Sequence, residues 1–146
     1  MEQNVCLEIR KFDNEIRQKI EAFRSAEALN GMTAMHGWII SYLVEHSDRP
    51  IYQKDIEDTF KIRPSSVTSL LKLMEKNGLI VRESVKTDAR LKKIQPTKKA
   101  YDCYMNLRGE IDKMQELMIS GVSDEDMAHF FRIIERFRSN LNKGEN

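Results

Sequence analysis

Four hydroxyl side chains crowd one short stretch, Ser65, Ser66, Thr68 and Ser69, and Lys72 follows them at helical spacing. Short polar residues lower helix propensity, and a merely solvated helix more often carries Glu and Lys on its outer face. What they offer instead is closeness. A backbone with short side chains can approach a groove and present hydroxyls to phosphates or base edges. Further along, Lys86, Arg90, Lys92 and Lys93 gather around Asp88. From Lys61 to Lys99 eleven basic residues face three acidic ones, so the rest of the chain holds 13 basic and 20 acidic residues and the formal net charge is only +1. A near-neutral chain with one concentrated positive segment is suited to meeting a polyanion locally while its remainder stays soluble.

Other chemistry finds little support. His36, His46 and His129 form no metal-ligand spacing, and no glycine-rich phosphate loop or nucleophile elbow is present. Asp124, Glu125 and Asp126 look like an acidic cluster, but their place at a helix start explains them through the helix dipole. The two cysteines, Cys6 and Cys103, are far apart and outside any C-x-x-C pair, which excludes a cysteine-rich zinc site or disulfide scaffold and suits a reducing cytoplasm. The longest apolar stretch, Gly37 to Val44, is far too short for a membrane span, and the N-terminus has no signal-like apolar region. The expectation is a non-enzymatic cytoplasmic protein without metal or other cofactor.

The elements that must position these groups follow from periodicity. Val5, Ile9, Phe12, Ile16, Ile20 and Phe23 put one apolar stripe on a first helix running to about Ala28, stopped by Asn30-Gly31. A second helix is capped by Thr33 and runs to about His46. After a turn at Ser47 to Pro50, Ile51-Tyr52 reads as a short strand and Gln53 to Phe60 as a third helix with Ile56 and Phe60 inward. Pro64 opens a fourth helix that buries Val67, Leu70, Leu71 and Met74 and stops at Asn77-Gly78. Leu79 to Glu83 and Leu91 to Gln95 read as two strands flanking a long basic loop, Ser84 to Arg90. Pro96-Thr97 then caps a fifth helix, from Lys98 to about Ile119, whose stripe is Ala100, Tyr104, Leu107, Ile111, Met114 and Met118. Gly121 breaks it, and Ser123 caps a last helix carrying Met127, Phe130, Phe131, Ile134, Phe137 and Leu141.

Three short helices, the third with a polar outer face, and a basic hairpin directly behind it make a winged helix-turn-helix. With long helices on both sides, the chain resembles the MarR family of bacterial transcription regulators. The residues that carry the resemblance are Met32-Thr33, Pro64-Ser65-Ser66-Val67-Thr68, the run Leu73-Met74-Glu75-Lys76-Asn77-Gly78-Leu79-Ile80, and Asp88-Ala89-Arg90 followed by Lys92-Lys93 and Pro96-Thr97. The match runs from about Met32 to Ala100. The expected fold is mainly α: a winged helix over residues 32–97, with residues 1–31 and 98–146 as helical dimerisation parts of one domain, 1–146.

The resemblance implies a homodimer whose terminal helices interlock, bound to double-stranded DNA at an inverted repeat with half-sites about one helical turn apart. Ser65, Ser66, Thr68, Ser69 and Lys72 would lie in the major groove, with Thr33 and Arg63 counted among the DNA-facing residues. Arg90 would reach the minor groove, oriented by Asp88. Lys86, Lys92 and Lys93 would hold phosphates. The family pattern places Leu-Thr and often Gln or Glu early in the second helix, where this chain has Met32-Thr33-Ala34-Met35-His36-Gly37. Small aromatic or anionic effectors of the family lodge near this region, so Met32, Met35, His36, Trp38 and Tyr42 are the expected pocket residues. The regulator would be a repressor released by such an effector. Two alternatives stand beside it. One is an oxidant-sensing variant acting through Cys6. The other is a winged-helix protein-interaction module that never touches DNA; the hydroxyl-rich helix face and Arg90 argue against it.

Overall fold

The computed structural model describes residues 4–22 and 32–143. It divides into two compact units, Met1–Ile111 and Asp112–Asn146. Among the described residues, six helices and one hairpin follow in the order α1 (Val5–Ala22), α2 (Ala34–Glu45), α3 (Gln53–Phe60), α4 (Pro64–Lys76), β1 (Ile80–Val85), β2 (Asp88–Pro96), α5 (Lys98–Ile119) and α6 (Asp124–Lys143). The expected end of the first helix, with Phe23, Ala28 and Asn30-Gly31, lies outside the described residues.

The first unit holds the core. Ile39, Ile40, Leu43, Ile56, Val67, Leu71, Met74, Leu79 and Ile80 are almost completely buried, and Met32, Ile51, Ile94, Ala100 and Tyr104 complete the cluster. α2 is its axis: with Ile39, Ile40 and Leu43 all inside, it packs on more than one side. α4 buries Val67, Leu71 and Met74, whereas Leu70, expected with them, is half-buried at the edge of the core.

Local chemistry sets the boundaries. Asn4 starts α1 by accepting the Leu7 amide on Oδ1 at 3.0 Å. Thr33 caps α2 through an unusual partner, His36, whose Nδ1 accepts the Thr33 amide at 2.8 Å. Asp55 closes the start of α3 by accepting the Tyr52 amide at 2.8 Å. α3 ends at Lys61, a non-glycine residue in the left-handed region with φ 54°. α4 begins with Pro64 in its first turn and stops at Asn77 and Gly78, where Gly78 has φ +71° and the Leu79 amide returns to the Met74 carbonyl at 2.9 Å.

The hairpin differs from its expected form. Its strands extend to Val85 and resume at Asp88, so the turn is only Lys86-Thr87, not a loop over Ser84 to Arg90. Pairing is antiparallel, from Ile80 opposite Pro96 to Ser84 opposite Lys92. The register then jumps, and Val85 pairs with Asp88. Ala89, Arg90 and Leu91 therefore bulge from β2, which is why their polar neighbourhood reads as loop. The expected strand at Ile51-Tyr52 is a single bridge, Tyr52 to Lys93, supported by the Ile94 amide donating to the Ile51 carbonyl at 2.8 Å.

Thr97 ties the hairpin to α5. Its hydroxyl donates to the Gly78 carbonyl at 2.6 Å and accepts the Ala100 amide at 3.3 Å. Tyr104 then donates to Glu45 Oε1 at 3.0 Å, joining α5 to α2. In the second unit, Gly121 takes φ +77° after α5, and Ser123 opens α6 by accepting the Asp126 amide at 3.1 Å and donating to its carboxylate at 2.7 Å.

Candidate nucleic-acid interface

α4 places its two faces as the sequence demands. While Val67, Leu71 and Met74 face the core, Ser65, Ser66, Ser69 and Lys72 are exposed and Thr68 is half-buried. Two of the hydroxyls turn back along the helix. Thr68 Oγ1 donates to the Pro64 carbonyl at 2.9 Å, and Ser69 Oγ donates to the Ser65 carbonyl at 3.2 Å. Arg63, the residue before the helix, is exposed in an extended conformation. Thr33 is also exposed, but its amide and hydroxyl both meet His36 Nδ1, at 2.8 Å and 3.1 Å. Its polar groups are engaged in starting α2.

The hairpin carries the second set. Lys86, Asp88, Arg90 and Lys92 are all exposed, and Lys93 is half-buried beside Tyr52. Asp88 Oδ1 accepts the backbone amide of Arg90 at 2.9 Å. It thus shapes the bulge that projects Arg90, acting on the main chain where a side-chain contact was expected. The base of the hairpin is fastened to α4 by Arg82, whose guanidinium donates to Glu75 Oε2 at 2.6 Å and 3.2 Å. That hydrogen bond, opposed by desolvation and helped by the charges of Arg82 and Lys92, holds the Glu75 carboxyl below its ordinary range.

A groove of about 700 Å³ runs beside this face, lined by Arg17 of α1, Met35 and His36 of α2, Ile62, and Ser65, Ser66, Ser69, Leu70 and Leu73 of α4. Of the five expected pocket residues, Met35 and His36 reach it. Met32 is 2% exposed inside the core, and neither Trp38 nor Tyr42 lines the groove. Tyr42 instead packs edge-on against Phe60 at 5.7 Å and accepts a hydrogen bond from Arg49 at 2.7 Å. Arg17 escaped the sequence reading because it sits on the charged side of an amphipathic helix and pairs locally with Asp13 at 2.8 Å. Leu70 and Leu73 escaped because an edge residue and a core residue look alike at helical spacing.

The cysteines part company. Cys6 is exposed near the start of α1, and Cys103 is half-buried in α5. Burial pushes the Cys103 thiol up, and the Asp102 charge adds to this against the opposing effect of Lys99. Among the described residues no three His, Cys, Asp or Glu side chains gather as a metal site, and no helix is long and apolar enough to cross a membrane.

The MarR family model matches residues 30–91. YybA, an HTH-type transcriptional regulator of Bacillus subtilis (strain 168), is 26% identical over 103 residues, covering 70% of this chain and 69% of YybA. The transcription regulator MarR of Oenococcus oeni PSU-1 superposes with a TM-score of 0.79 at 26% identity, over 93% of this chain and 99% of that one. MepR of S. aureus, solved as a complex with DNA, has the same fold, with a TM-score of 0.81 at 22% identity over 94% of this chain and 96% of MepR.

Proposed function

We propose that the chain, whose residues 30–91 match the MarR family model, is a MarR-type regulator and a sequence-specific double-stranded DNA-binding repressor. The observation that carries the reading is the exposed face of α4, with Ser65, Ser66, Ser69 and Lys72 open to solvent on a helix whose other face is locked into the core. Such a face can lie in a major groove without a bulky side chain holding the backbone off. Lys86, Lys92 and Lys93 supply salt-sensitive phosphate attraction, and Arg90, projected by its bulge, supplies a shape-sensitive minor-groove contact. MepR, which shares this fold, has been solved in complex with DNA.

The working form is a homodimer on an inverted repeat. Apolar side chains at Val5, Leu7, Ile9 and Phe12 of α1 and at Phe130, Phe131 and Ile133 of α6 are 45–62% exposed in the single chain. That much open apolar surface on terminal helices favours burial against a second copy. A small aromatic or anionic effector fits the groove, where Arg17 and His36 stand among Met35, Leu70 and Leu73. Because Ser65, Ser66 and Ser69 form part of its wall, an occupant meets the same helix that reads DNA. It releases the operator to the extent that it binds the DNA-free form more tightly.

The test is fluorescence anisotropy of the full chain with the DNA upstream of its own coding region against scrambled DNA, over a salt series. Tight selective binding that weakens with salt is expected. Equal weak binding to both, with no enrichment from random duplexes, would replace the reading with a protein-interaction module.

A further inference from the structure

We infer that Gln53 is a positioning residue for base reading, fixing from α3 both the seat of α4 and the direction in which the Thr68 hydroxyl points its proton; the inference rests on the DNA-binding reading above. Gln53 stands in the first turn of α3, 15 residues before Thr68. Its side-chain amide nitrogen lies 3.0 Å from Thr68 Oγ1, 3.3 Å from the Pro64 carbonyl and 3.1 Å from Glu57 Oε1. All three neighbours are acceptors toward it, so the amide faces them with its nitrogen and not its oxygen. The Glu57 side chain is only 12% exposed, which makes it a firm backstop.

Between α3 and α4 the buried packing is apolar, through Ile56, Val67, Leu71 and Met74, and the other directional tie of α4 described above, Glu75 to Arg82, lies toward its C-terminal end. Apolar packing resists separation but sets rotation about a helix axis weakly, because it has no directional requirement. The Gln53 amide adds that direction at the N-terminal turn of α4, beside Ser65 and Ser66. It also sets the polarity of Thr68. The Thr68 proton goes to the Pro64 carbonyl at 2.9 Å, and one Oγ1 lone pair takes the Gln53 N–H. What Thr68 still offers is a single acceptor. A phosphate oxygen is itself an acceptor and gains nothing from it. An exocyclic amino group, adenine N6 or cytosine N4, is the complementary partner in the major groove. The operator half-site therefore carries adenine or cytosine opposite Thr68.

The experiment selects a preferred duplex from random DNA with the full-length protein, then measures anisotropy on that duplex and a scrambled one. Gln53→Ala is expected to weaken the selected duplex about tenfold while the scrambled duplex and the salt slope stay unchanged. Gln53→Glu, similar in size but bringing carboxylate oxygens toward three acceptors, is expected to lose at least as much. Thr68→Val is expected to cost much less in the Gln53→Ala background than in the wild type. Replacing the adenine opposite Thr68 by purine, or that cytosine by its analogue lacking N4, should abolish the difference between wild type and Thr68→Val. With thermal melts confirming the fold, Gln53→Ala retaining full selectivity, or weakening both duplexes equally, overturns the inference alone. Wild-type protein that enriches no duplex overturns the DNA-binding reading and this inference with it.

Discussion

The winged-helix part and the terminal helices are built on opposite principles. Between Met32 and Tyr104 the chain buries fifteen hydrophobic side chains, ten of them with under 2% exposure. Among the described residues α1 and α6 bury none, although both carry regular apolar stripes, and Met114 is the sole buried side chain of the second unit. Equal amphipathic patterning therefore has two outcomes. A stripe flanked by other short elements of the same chain finds its partners at once, as in α4. A stripe on a long terminal helix such as α1 or α6 stays open within the single chain. The contrast teaches that periodicity reveals which face will be buried but not what will cover it.

The largest expected effect tests this contrast directly. Leu71→Ala should cost about 2–5 kcal/mol in chemical denaturation, at every protein concentration, because its methyl groups leave a cavity in a closed core. Phe131, 62% exposed, should behave differently. Phe131→Ala should leave stability unchanged at high dilution and lower it only where dimers are populated, so that the loss varies with concentration. A concentration-independent loss as large as that of Leu71→Ala would show that α6 is already closed within one chain. Next in size is Arg90→Ala, expected to weaken selective DNA binding by about 1–3 kcal/mol while sedimentation shows the dimer intact. Unchanged affinity in that folded variant would remove the hairpin from DNA recognition.

The same contrast explains how much could be read beforehand. α3 was legible to the residue, Gln53 to Phe60, and Pro64, Asn77 and Gly78 marked α4 because proline and a left-handed glycine act locally. Thr33 was legible as a cap, while His36 as its partner was not, since that position ordinarily calls for Glu or Gln. The hairpin was found but its turn was misplaced. Asp88 holds the Arg90 amide and stabilises a bulge, a main-chain event that residue types alone do not announce. The exposed hydroxyls of α4 were legible from composition. The groove beside them was not, because Arg17, Met35 and Leu70 come from three helices and meet only through tertiary packing.

A smaller effect sharpens the comparison from within the core. Gly37 lies inside α2, where the absent side chain costs helix stability, and Ser41 donates to its carbonyl at 3.1 Å. A Cβ built at Gly37 meets nothing within 4 Å. Gly37→Ala should therefore stabilise the fold by about 0.5–1 kcal/mol, through lower entropy of the unfolded chain. Destabilisation would mean that this face of α2 is closely covered in the assembled protein, extending the shared interface beyond the terminal helices.

The smallest effect concerns the joint between hairpin and α4. Arg82 holds Glu75 below its ordinary pKa, and a carboxyl depressed in the folded state favours folding when ionised. That contribution is complete above the unfolded-state pKa and disappears as pH falls through the lower folded-state value. Arg82→Ala should move the Glu75 titration upward, seen by carbon-13 NMR of its carboxyl, and flatten the acid limb of the stability profile slightly. Glu75 is solvent-facing, so the change in stability at neutral pH should be small. The pair also ties the root of the hairpin to α4. If the Glu75 titration stays in place in Arg82→Ala, another cation holds the carboxylate. Lys92, the other cation that lowers it, is then the residue to remove, which would let one lysine serve both the joint and the phosphate contact proposed for it.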